Sequence, residues 1–152
     1  MLISTDDFWS WALERYQNPR VRDLLLALQE SDDIILLEVM FVAWLGSREL
    51  QLDHIVCEQL RDSISPWVNH VVKPLRQQRQ IWSQDPDAEK LKSMMLAIEL
   101  EAEHQLAELL CGAVATEVLH YDAVCVDSNL ALLPELCRKP DVIKQLSDVF
   151  RG

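Results

Sequence analysis

Glu101-Ala-Glu-His104 and Glu117-Val-Leu-His120 are two Glu-x-x-His pairs, the spacing at which a carboxylate and an imidazole share one helical face in di-iron carboxylate bundles. Such a centre needs the two pairs on facing helices. Here both fall on a stretch that reads as one helix, which separates them by about 24 Å at 1.5 Å per residue, and they meet only if that helix breaks at Gly112. The expectation is a solvated acidic face with surface histidines, with no metal and no other cofactor.

Lys73, Arg76 and Arg79 form a second constellation, recurring along a helix beside Pro74. Residues at this spacing drift around one side of a helix and make a small cationic cluster. If the flanking segments fold as an antiparallel hairpin about Asp85, His70 and Lys73 stand near Glu99 and Glu101, with Arg76 one turn away. The favoured reading is an Arg–Glu network of Arg76, Arg79, Glu99 and Glu103 that pins the hairpin register. The alternative is a pocket for an anionic ligand, with Arg76 and Arg79 as forked donors.

Glu38 stands alone in an apolar run, and a carboxylate in a core must be paired, protonated or turned towards water. Arg15 and Arg76 are the candidate partners, and a bundle-edge position is the plainer alternative. An acid/base role lacks a convergent histidine or nucleophile. On the first helix, Phe8, Trp9, Leu13 and Tyr16 read as core, whereas Trp11 falls on another side and is the candidate partner-binding residue, with core packing the favoured alternative.

Composition narrows the classes. The formal charge is −11, which repels nucleic acid and anionic membrane surfaces and steers a basic protein partner towards the chain. Cys57, Cys111, Cys125 and Cys137 are scattered without a Cys-x-x-Cys pair, as expected for reduced, mostly buried thiols. With no basic n-region and apolar h-region at the start, and with Ile34 to Leu45 too short to span a bilayer, the expectation is a cytoplasmic protein without a membrane segment. Neither a Gly-rich phosphate loop nor a Gly-x-Ser-x-Gly, His-Glu-x-x-His or Asp-x-x-x-Asp motif is present, so nucleotide and hydrolase chemistry find no support.

Helical periodicity with only three glycines predicts one all-α domain over residues 1–152, a bundle of six to seven helices. Ser4 or Thr5 caps a first helix to about Gln17, and Asn18-Pro19 starts a second to about Glu30. A third, apolar on nearly every side, runs from about Ile34 to Leu45 and stops at Gly46. A fourth covers about Leu50 to Ser63, and Ser65-Pro66 restarts a fifth, to about Ser83, that Pro74 should kink. Asp85-Pro86 opens the longest helix, to about Tyr121, which pairs with the kinked helix as a hairpin. Leu130 to Cys137 and Asp141 to Phe150 read as two short closing helices.

Phe8-Trp9-x-Trp11-Ala12-Leu13-x-Arg15-Tyr16, followed by Pro19, Val21, the Leu24 to Gln29 block and Trp44-Leu45-Gly46, resembles a bacterial family of uncharacterised helical proteins of about this length. Trp67-x3-Val71-Val72-x-Pro74-Leu75-Arg76-x2-Arg79 and the Glu99-Leu100-x2-Glu103 block extend the resemblance over roughly residues 6–105. It implies no activity, substrate or cofactor. Polar residues open the third helix in that family where Ile35 and Leu37 stand here, which implies that any site built on them is altered in this chain.

The composite expectation is a non-catalytic adaptor or regulator that binds a protein partner. A small anionic ligand-binding protein or enzyme, with its site between the Pro74-kinked helix and the long acidic helix, is the alternative, and a self-associating structural protein is a third reading. Arg76, Arg79 and Glu99 around an open cavity would favour the second. A zipped cluster with an exposed apolar patch would favour the first.

Overall fold

The computed structural model describes residues 3–114, 120, 121 and 123–151. Helix α1 (Thr5–Tyr16) begins where the Ser4 hydroxyl accepts the Asp7 N–H at 3.2 Å, with Asp6 and Asp7 against the positive end of its dipole. Helix α2 (Pro19–Asp32) begins the same way, the Asn18 side chain accepting from Arg20 N at 2.9 Å ahead of Pro19. It ends at Asp33 in the left-handed conformation, φ 53°.

Helix α3 (Leu36–Ser47) is buried at every position from Leu37 to Gly46 and forms the centre of the bundle. Its N-cap is Ile35, which supplies no side-chain hydrogen bond. Gly46 does not stop this helix as expected. It lies inside it, because the segment before α7 (Val126–Leu130) crosses there: a Cβ on Gly46 would sit 2.7 Å from Val126 Cα and 2.8 Å from the Cys125 carbonyl carbon. The left-handed residue at this end is Glu49, φ 64°, and it turns the chain into strand β1 (Leu50–Gln51), which pairs antiparallel with β2 (His120–Tyr121).

Helix α4 (His54–Trp67), capped by Asp53 on Val56 N at 2.8 Å, differs from expectation at both ends. It starts after β1, and Ser65-Pro66 does not restart the chain: Pro66 is inside the helix, and the Ser65 hydroxyl donates back to the Arg61 carbonyl at 2.7 Å. A π segment, Val68–Val72, then leads into α5 (Lys73–Trp82). Pro74 is the physical reason, since proline has no N–H and its ring would strike the carbonyl four residues back; the Lys73 N–H reaches the Val68 carbonyl and the extra residue carries the helix past the obstacle.

Asp85 caps a 3₁₀ turn, Pro86–Ala88, and α6 (Glu89–Ala113) returns antiparallel to α4 and α5. The expected continuation to Tyr121 does not hold, for Val114 is extended and His120–Tyr121 are strand. The expected helix Leu130 to Cys137 is replaced by α7 followed by turns, and α8 (Pro140–Arg151) closes the bundle against α2 and α7. Counting α4, the π segment and α5 as one rod gives seven helices among the described residues, an all-α bundle. One hydrophobic core, from Phe8 to Phe150, runs through it. None of the described helices is long and apolar enough to cross a membrane.

Candidate functional site

Five of these helices leave a cleft of about 410 Å³ between them. Helix α1 contributes Trp9, Ala12, Leu13 and Tyr16, α2 contributes Leu26 and Gln29, and the start of α3 forms a floor of Leu36, Leu37 and Met40. The hairpin supplies the far wall, Arg76 and Arg79 from α5, and Leu96, Glu99, Leu100 and Glu103 from α6. Its floor is apolar because α3 is a central helix, and its mouth is apolar too: Leu13 and Leu26 are each 40% exposed, Leu96 51% and Leu100 54%.

The polar groups gather on one side. Arg79 Nε donates to Glu99 Oε2 at 2.6 Å, tying α5 to α6. Arg76, one turn earlier, pairs differently: with the Gln29 amide turned so that its carbonyl faces the guanidinium, Nη1 and Nη2 donate to it at 3.2 and 2.8 Å. Glu103 lies in the same wall, and burial pushes its carboxyl up to about 7, opposed by the charge of Arg76 and reinforced by that of Glu99. Burial also raises the Tyr16 phenol. The cluster is thus part zipped, at Arg79–Glu99, and part open, at Arg76.

The remaining sequence candidates fall elsewhere. Lys73 reaches Asp33 at the end of α2, 3.3 Å away, rather than Glu99, and His70 is exposed. Neither Arg15 nor Arg76 is the partner of Glu38. That carboxylate, 0% exposed, is bonded by Arg61 Nε at 3.2 Å and also by Nη2, while Arg61 Nη1 donates to Glu135 at 2.7 Å. Burial raises the Glu38 pKa against the pull of Arg61. Arg15 instead donates to the Phe150 carbonyl at 2.9 Å and sits over the Trp11 ring. Trp11 is half-buried, its ring 5.6 Å from Phe150, so the residue put forward for a partner already has two intramolecular neighbours.

Of the two Glu-x-x-His pairs, Glu101 is exposed and His104 lies 3.8 Å from Glu108 and edge-on to Trp9. Glu117 is outside the described residues. Among the described residues no group of three or more His, Cys, Asp or Glu is placed to hold a metal ion. Burial pushes the Cys57 and Cys111 thiols up to about 11, which leaves them protonated and unreactive at neutral pH.

Sequence reasoning did not find Tyr16 and Gln29 as cleft residues, nor Arg61, Glu135 and Asn129 as polar centres of the core. Asn129 is the plainest omission. Fully buried, it donates to the Val42 and Leu50 carbonyls at 3.0 and 2.9 Å and accepts from Leu52 N at 3.0 Å, fixing α7 to α3 and to the β1 turn. Its only signal in the sequence is a polar residue flanked by the apolar Val126 and Leu130.

The first half of α6 carries a second surface. Leu91, Met94 and Ile98 are 48%, 56% and 49% exposed, and at 100° per residue they fall within about 60° of one another. That places them on the other side of the helix from Leu96 and Leu100, which line the cleft. Glu101 and Glu108, both exposed, continue the same side, with Lys90 at its near end.

A family model described as a protein of unknown function (DUF2390) matches residues 7–110. No curated protein and no solved structure matches the chain.

Proposed function

The chain belongs to this family of unknown function, whose matched residues span α1 to the greater part of α6, and from that premise we propose that it is a non-catalytic adaptor that docks a basic protein partner on the outward side of α6. One observation carries the reading. Three large apolar side chains on one side of one helix, Leu91, Met94 and Ile98, stay about half exposed, an arrangement whose burial against a partner releases water from all three. Glu101 and Glu108 beside them, on a chain of net charge −11, favour a partner helix that is apolar on one side and basic on its flanks. The zipped Arg79–Glu99 pair fits a structural hairpin that presents this side.

The test is a tagged capture with Met94→Glu/Ile98→Glu as its control, after circular dichroism shows both forms folded. The reading requires one stoichiometric, basic partner that is held by the native chain, released as salt is raised, and lost in the double variant. Recovery of the same partner by the variant, or of none by either, overturns it. A stable dimer of the chain itself, disrupted by the same substitutions, would replace it with self-association.

A further inference from the structure

The cleft on the other side of α6 is a separate matter, independent of that docking side. It combines an apolar floor and mouth with a guanidinium, Arg76, that among the described residues no carboxylate contacts. Among the described residues, Arg76 has no carboxylate within 4.0 Å; its hydrogen bonds go to the neutral Gln29 carbonyl. In a chain with 25 acids and 14 lysines and arginines, an arginine facing an apolar cleft and held by an amide is unexpected, because a guanidinium in such a place is ordinarily matched by an acid. The neighbouring pair is closed, since Arg79 is engaged by Glu99 at 2.6 Å.

We infer that the cleft binds a small amphipathic monoanion, an unbranched carboxylate whose head lies against Arg76 and whose tail lies on Leu13, Leu26, Met40, Leu96 and Leu100. A volume of about 410 Å³ suits a ligand on the order of ten to fifteen non-hydrogen atoms. Gln29 orients the guanidinium through its carbonyl. The charged and titratable groups facing the head are Tyr16 from α1, Arg76 and Arg79 from α5, and Glu99 and Glu103 from α6. Glu103 is the acid that would oppose an incoming anion. Its carboxyl, pushed up to about 7, is largely protonated below neutrality, so the anion binds more tightly at pH 6 than at pH 8 and takes up a proton as it does so.

Decanoate below its micelle concentration is the probe, measured by titration calorimetry with amide shifts mapped by NMR, against decanol as a neutral tail and acetate as a tailless anion. Decanoate should bind once, at the cleft, and at least about tenfold more tightly than either control. Arg76→Met should lose about that factor, and Leu96→Trp, which crowds the mouth without touching Arg76, should weaken the tail contact. Met94→Glu/Ile98→Glu should leave decanoate binding unchanged, which separates this site from the docking side. No saturable binding of decanoate, equal binding of decanol, or unaltered binding by a folded Arg76→Met variant would overturn the inference.

Discussion

Arg61 on α4 donates from Nε to Glu38 Oε2 at 3.2 Å, reaching a carboxylate that is 0% exposed on the central helix, and holds Glu135 with the other edge of its guanidinium. One arginine therefore bridges two acids drawn from α3 and from the turns after α7. Arg61→Met leaves Glu38 buried without a counter-charge and should cost about 3–5 kcal/mol. The triple variant Glu38→Leu/Arg61→Met/Glu135→Leu should recover most of that loss. Urea unfolding of both variants, compared at equal m-values, checks the pair of outcomes.

The two described glycines should respond in opposite directions. A Cβ at Gly46 would meet Val126 backbone at 2.7 Å, where no flexible side chain can yield, so Gly46→Ala should destabilise by about 1–3 kcal/mol. Gly112, near the end of α6, has nothing within 4 Å of the same atom. Gly112→Ala should stabilise by about 0.5–1 kcal/mol through the lost freedom of the unfolded chain. Thermal melts of the two variants side by side give the signs.

Asn129→Ala removes three hydrogen bonds from a fully buried position and should cost on the order of 2–4 kcal/mol. Asn129→Asp should cost more, because it turns an oxygen towards the Val42 and Leu50 carbonyls in place of the amide N–H₂. Chemical denaturation of both variants provides the comparison, with Asn129→Asp the less stable.

Glu103 makes stability fall as pH rises. Its folded carboxyl titrates at about 7 against an ordinary 4.5, so between those values the folded state holds a proton that the unfolded state has released. The proton favours folding at the acid end, and its contribution is lost as pH climbs through 7. Glu103→Gln, which stays neutral throughout, should remove this part of the slope and be more stable than the native chain at pH 8, with the difference shrinking towards pH 5. Unfolding midpoints of the two proteins across that range read it directly.

Much of the architecture was legible because its signals are local. Ser4, Asn18-Pro19 and Asp85-Pro86 cap or open elements where a side chain reaches a backbone N–H only two or three residues away. Other boundaries depend on contacts distant in sequence. Gly46 resembled a helix stop, yet its lack of a side chain serves the crossing of the chain at Val126. Pro66 resembled a break and Pro74 a kink within a helix, and the helix runs on through both, the second by way of a π segment. At the cleft, the sequence places Arg79 and Glu99 in one Arg–Glu network, but hairpin register sets His70 and Lys73 beside Glu99, whereas Arg79 holds it and Lys73 turns to Asp33. Gln29 as the partner of Arg76, and Arg61 as the partner of Glu38, follow from how α2 and α4 lie against their neighbours, which no spacing along the chain encodes. Nor could periodicity tell which side of α6 faces out, since Leu91, Met94, Leu96, Ile98 and Leu100 ring that half of the helix.

Adjacent methionines report on the outward side of α6. Met94 is 56% exposed and Met95 only 8%, so limited peroxide oxidation, followed by mass spectrometry, reads one against the other. Applied to the purified chain and to the captured complex at the same dose, it should show Met94 protected by about fivefold or more in the complex, Met95 slow in both, and the protection gone in high salt. Equal oxidation of Met94 in the free chain and in a stoichiometric complex would contradict docking on this side of α6.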